Sequence, residues 1–184
     1  DQTTAEKDVM AKQIELAKEF NLPILVHTPH RDKKRGTQVC LDIVKESEIA
    51  PEMVLIDHNT EETVQEVLDL GYYAGHSIYP KTKMDEKRMA KIVQEFGSER
   101  IIVNSAADWG VSDPLMVPKA VQVMQESGVA DSDIEQIVWH NPIRFFAQSG
   151  RFDPIEFEER PRFDQQELFC NNSVLRGQAA QSSE

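Results

Sequence analysis

The chain has 184 residues, 40% of them hydrophobic and 28% charged, the proportions of one folded domain that stays in water. No apolar run approaches the ~20 residues of a membrane-spanning helix, and a formal net charge of -12 would repel a phosphate backbone, so composition supports neither a membrane protein nor a non-specific nucleic-acid binder. Cys40 and Cys170 stand far apart with no CxxC spacing, which offers no thiolate zinc site or redox pair and fits a reducing cytoplasm.

The first residues, DQTTAEKD, are polar and charged and carry no signal-peptide pattern. There is no initiator Met, and a well-formed helix begins within a few residues, so a preceding portion of the protein is expected. In that helix Val9, Met10, Ile14, Leu16, Ala17 and Phe20 recur at helical spacing, with Thr3 or Thr4 as N-cap and Glu6 or Asp8 in the first turn. Next comes NLPILVH, where Leu22, Ile24, Leu25 and Val26 form a short apolar run that predicts a strand buried on both faces. Pro23 takes its first position, where a missing N–H costs least, and His27 stands where the run stops.

RDKKRGT reads as a basic loop ending at Gly36, after which Val39, Cys40, Ile43 and Val44 mark a second helix and Pro51 closes the connection. Met53 to Ile56 is a second apolar strand, ending in Asp57, His58 and Asn59. Thr60 is placed to cap a helix carrying Val64, Val67 and Leu68, stopped by Gly71. A third strand, Tyr72 to Gly75, ends in His76 and runs into SIYPKTK. Met84 to Phe96 is helical up to Gly97, and Ile101 to Val103 is a fourth strand that leads into NSAADWG. Helical segments after Pro118, from Asp131 or Ser132 to Val138, and from Asn141 to Gln148 follow, with Gly150 as the stop.

Strand–helix units that begin near positions 24, 53, 73 and 101, with connections too long for hairpins, predict an α/β fold with parallel strands. No glycine-rich phosphate loop follows any strand, which argues against an open nucleotide-binding sheet. A complete (β/α) barrel takes about 250 residues, so residues 1–150 are expected to be half of a TIM barrel. Residues 151–184, with two prolines and dense acidic groups, are expected to form an extended arm whose last residues, QAAQSSE, are disordered.

Each strand hands over to a polar or ionisable group at its carboxyl end: His27, His58, His76 and Asp108. Ligands collect at that edge in parallel α/β folds. Two imidazoles and a carboxylate, His27, His58 and Asp108, suit zinc or another first-row divalent metal, with Asp108 as ligand or as acceptor of the proton from attacking water. For any single histidine the plain alternative is a strand cap; the shared register of the set favours a site. His30, His76 and Lys83 are candidates for substrate contact, within a rim that also holds Arg31, Lys33, Lys34, Arg35 and Lys81. Local positive charge in an acidic chain points to a small anionic substrate such as a phosphate ester. His140 is explained by packing of the last helix, and Asp113, before Pro114, by a turn.

Over about residues 5–150 the chain resembles the TatD-like metal-dependent hydrolases, TIM-barrel members of the amidohydrolase superfamily. The similarity is carried by QIELAKEFNLPILVH ending at His27, by VLIDHN at His58, by Asp108 in IIVNSAADWG and by HNPIRFF from Asn141 to Phe146. It implies hydrolysis of a phosphoester or related bond with one or two divalent ions, zinc foremost and magnesium or manganese next. His27 and His58 would be ligands, and Asp108 a ligand or proton acceptor. It also makes the strand ending at His27 the fifth of eight. The family's HxH motif and the Glu after its fourth strand have no counterpart here, so the missing half of the barrel, or an oligomer partner, is expected to complete the site. Ser105 is followed by Ala106 and Ala107 before Asp108, where the family often has the carboxylate directly after Thr or Ser. The competing expectation is a catalytically inactive barrel that binds or hands on a small anionic metabolite. A metal-free aldolase or isomerase barrel would need a strand-end Lys, and none is present.

Overall fold

The computed structural model describes residues 3–106, 111–151 and 153–157. Contacts divide the chain into two units, Asp1–Phe152 and Asp153–Glu184. In the second, the described residues form one 3-10 turn, Pro154–Phe157.

In the first unit, helix α1 (Thr4–Glu19) begins on a capping box: Thr3 Oγ1 accepts the Glu6 N–H at 3.2 Å and the Glu6 carboxylate accepts the Thr3 N–H at 2.6 Å. Strand β1 (Ile24–His27) follows, then α2 (Lys33–Glu46), β2 (Val54–Asp57), α3 (Val64–Asp69), β3 (Tyr73–Ile78), α4 (Glu86–Phe96) and β4 (Ile101–Ser105). Helices α5 (Met116–Glu126), α6 (Asp131–Glu135) and α7 (Asn141–Ala147) complete the order, with a π-helical turn, Gln136–His140, leading into α7. The strands form one parallel sheet in the order β1-β2-β3-β4, each pair joined through a helix.

The period of two along the strands divides the sheet into two faces. Val26, Val54, Ile56, Ala74, Ile78, Ile101 and Val103 face the helices and join Leu41, Val44, Met89, Ile92 and Met124 in the main core. The opposite face carries a smaller cluster of Leu55, Tyr73, Ile102 and Phe145, in which the Tyr73 and Phe145 rings meet edge to face at 5.1 Å. Above that cluster, toward the carboxyl ends of the strands, the same face becomes polar at His27, Asp57 and Ser77.

Three expectations change. Strand β1 is not buried on both faces: Leu25 is 45% exposed, and β1 is an edge strand of the described sheet. The basic stretch after His30 is helical from Lys33 onward, and Gly36 does not stop it. A Cβ on Gly36 would lie 2.2 Å from Pro29 Cγ, so glycine there serves the close approach of the preceding loop. Strand β3 continues through His76 to Ile78, which moves His76 from the strand end into its interior. No helix of the described residues is long and apolar enough to cross a membrane.

Candidate metal centre

β1 and β2 pair in register, with His27 opposite Asp57, so these two side chains stand together at the carboxyl end of the sheet. His58 is the next residue, and its φ of 64° lies in the left-handed region. A β-strand residue would turn its side chain to the other face; this backbone turn brings the imidazole of His58 back to the same side as Asp57. The backbone N–H of His58 donates to Asp57 Oδ1 at 2.7 Å, which holds the turn closed.

His27 Nδ1 and His58 Nε2 are 2.9 Å apart, and Asp57 Oδ2 lies 4.0 Å from His27 Nδ1 and 3.8 Å from His58 Nδ1. One donor atom from each of the three residues falls within 4.8 Å of the others. Ser77, next but one along β3 from Gly75, reaches the same group. Its hydroxyl donates to Asp57 Oδ1 at 3.4 Å, which leaves it to accept from His58 Nδ1–H at 2.9 Å. That network assigns the lone pair of His58 to Nε2, the atom facing His27. Burial, the largest influence, pushes the His58 imidazole down to about 4, against the opposing pull of Asp57. At neutral pH it therefore carries the lone pair a metal requires.

These residues fit a divalent cation. Two nitrogens and a carboxylate oxygen are a zinc-type donor set, and nitrogens bound at about 2.0–2.1 Å to a tetrahedral ion stand about 3.3 Å apart, close to the separation found here. Ser77 supplies the outer hydrogen bond that orients a ligating histidine.

Gly75 is required by this geometry. A Cβ there would lie 2.7 Å from Asp57 Oδ1 and 2.8 Å from Leu55 Cδ2. Thr28 donates to the Asp57 carbonyl at 2.6 Å and also accepts from Lys33 Nζ, which bonds the Pro29 carbonyl at 3.3 Å. Burial lowers Lys33 to about 8, so it remains an ammonium at neutral pH.

His27 and His58 border a cleft of about 430 Å³, also lined by Glu6, Met10, His30 and Cys40. The His30 ring lies 5.6 Å from that of His58, so the structure brings His30 to the centre. Lys83, at φ 63°, is held by Arg88, which donates to the Lys83 carbonyl at 2.6 Å and grips Glu61 through bonds of 2.8 and 2.6 Å. Its ammonium donates to Tyr79 OH at 2.9 Å.

His76 is a correction. It alternates with Ser77 along β3 and pairs with Val103 on the helix-facing side, completely buried. A substrate at the strand ends meets the other face. Its ring nitrogens have no hydrogen-bond partner among the described residues, and burial pushes its pKa to about 4 despite the nearby backbone of Ala74 and Ile102. Asp108 lies outside the described residues. Asp57, by contrast, is a residue that motif reading passed over; its place one residue before His58, at the end of an apolar run, was the usable signal.

The family described as TatD related DNase matches residues 1–147. The chain belongs to this family. An uncharacterized metal-dependent hydrolase of Methanocaldococcus jannaschii is 31% identical over 144 residues, which are 78% of this chain and 57% of the relative. Among solved structures, a TatD-like protein of Archaeoglobus fulgidus superposes with a TM-score of 0.62 at 25% identity, over 78% of this chain and 55% of that one. An amidohydrolase of Mycoplasma synoviae, at 15% identity and a TM-score of 0.60 over 84% of this chain and 50% of that one, shares the fold. The chain thus spans little more than half the length of these TatD relatives.

Proposed function

We propose that the chain supplies the carboxyl-terminal half of the active site of a metal-dependent hydrolase acting on small phosphoesters. The observation that carries this reading is the meeting of His27, Asp57 and His58 within 4.8 Å at the carboxyl ends of two adjacent parallel strands. The proposed cofactor is one or two divalent ions, zinc first by donor type and magnesium or manganese next. When bound, such an ion supplies Lewis acidity, polarising the bond to be cut and making water nucleophilic near neutral pH. His27, His58 and Asp57 would hold it, while Ser77 fixes the His58 tautomer. Asp108 is proposed to take the proton from the attacking water or to add a ligand, and His30 and Lys83 to contact the substrate.

The family description includes DNase activity, but a chain of net charge -12 has little to draw a nucleic-acid duplex. A small anionic ester is the substrate proposed here. The exposed edge of β1, with Leu25 45% exposed, is proposed to be covered by the remaining barrel strands or by an oligomer partner. The buried thiol of Cys40, which forms no disulfide, is in keeping with a reducing cytoplasm.

The test is hydrolysis of p-nitrophenyl phosphate and bis-p-nitrophenyl phosphate by the intact protein after metal loading. Turnover should disappear with chelator, return with added divalent metal, and fall at least a hundredfold in Asp57→Asn and His58→Ala. Turnover that survives both substitutions would place the chemistry elsewhere.

A further inference from the structure

Within the basic stretch from Arg31 to Arg35, Lys33 differs from its neighbours. Arg31, Lys34 and Arg35 are exposed, whereas Lys33 is turned in and half-buried. Among the described residues its ammonium bonds only neutral oxygens, the Thr28 hydroxyl and the Pro29 carbonyl. None of the ion pairs among the described residues includes it, in a chain of net charge -12. An ammonium has three N–H donors, so among the described residues Thr28 and Pro29 account for two of them.

A second ammonium approaches from the other side. Lys33 follows β1 and Lys83 follows β3, while His58 ends β2, the strand between them. Both lysines are close enough for their charges to act on His58, and each acts on the other. Lys83 is not a loosely tethered rim residue, since the Arg88–Glu61 pair fixes its backbone and the Tyr79 ring lies 4.1 Å below its Nζ. The Asp57 carboxylate attracts Lys33 more than Lys83 repels it; a divalent metal held by Asp57 would engage that negative charge and leave the two ammoniums to an incoming anion. A double positive charge matches the dianion of a phosphomonoester better than the single charge of a diester.

We propose that Lys33, acting with Lys83, binds the terminal phosphoryl oxygens of a phosphomonoester and so sets the substrate class of the site. The proposal rests on the hydrolase reading for the identity of the site, but phosphate binding tests it without turnover. Lys33→Gln keeps an N–H donor for Thr28 and Pro29 and removes the charge; Lys33→Arg keeps the charge. Binding of inorganic phosphate to the intact protein, with and without added zinc, would be measured by calorimetry beside thermal melting.

The expected result is phosphate affinity at least tenfold weaker in Lys33→Gln and within about threefold of wild type in Lys33→Arg, with both variants melting like wild type. In turnover, Lys33→Gln should raise KM for the monoester more than it lowers kcat and leave the diester little changed. Equal phosphate binding by wild type and Lys33→Gln overturns the proposal while leaving the hydrolase reading intact. So does equal loss in both variants with lowered melting, which would make Lys33 a loop tether, or absence of phosphate binding by wild type. A wild type that binds phosphate through Lys33 yet hydrolyses no ester would sustain the proposal and remove the hydrolase reading.

Discussion

Asp57 depends on a neighbour that has no side chain. Gly75 lies on β3 beside it, and a methyl group there would sit 2.7 Å from Asp57 Oδ1 and 3.2 Å from Asp57 Cα. The backbone contact leaves little room to yield, so Gly75→Ala should move the carboxylate off the two imidazoles. Overpacking of this kind costs about 1–3 kcal/mol of stability, and displacing a group next to a metal costs on the order of 10–100-fold in affinity. Zinc titration and urea unfolding of Gly75→Ala check both; zinc affinity equal to wild type would show that Asp57 is not a ligand. The histidines of the centre were legible as residues where an apolar run ends. Asp57 was less so, because a carboxylate that ends a strand looks in sequence like any solvated turn group, and only pairing with β1 sets it opposite His27.

At the level of elements, β3 carries an acid-sensitive residue on its helix side. His76 is completely buried, with its pKa pushed down to about 4 from 6.5 by burial. Between these values the unfolded chain binds a proton that the native chain refuses. Its contribution is therefore intact above pH 6.5 and is lost as pH falls toward 4, by up to roughly 3 kcal/mol. His76→Leu should flatten that loss: urea unfolding at pH 7 and pH 4.5 should show a smaller difference than wild type, whereas identical differences would mean that His76 already finds a proton acceptor in the fold. The same element shows why its end was misjudged. YAGHSI is buried throughout, and a strand covered on both faces has no alternation to tell an interior histidine from a terminal one. Gly36 misled for a related reason, since a glycine used for close approach to Pro29 reads in sequence like the end of a loop, although it lies inside α2. The Thr3 cap of α1 and the buried face of α4 at Met89, Ile92 and Val93, which rest on local chemistry, were legible, whereas Val9, Leu16 and Phe20 of α1, read as its apolar face, are exposed.

For the whole molecule, parallel strands in simple sequence order, with the centre at their carboxyl ends, form the part of a barrel where chemistry is done. Connection lengths too long for hairpins made the parallel arrangement legible. The exposure of Leu25 was not, because sequence alone does not say which strand lies at an edge. The family matches residues 1–147, and the chain spans little more than half the length of the relatives. The claim that unites residue, element and fold is that His27 and His58 hold a divalent metal. Metal content of the purified intact protein, measured by elemental analysis beside the His27→Ala/His58→Ala double variant, tests it directly. Bound metal that is lost in a double variant with wild-type secondary structure is the predicted result; the same metal content in both proteins would contradict it.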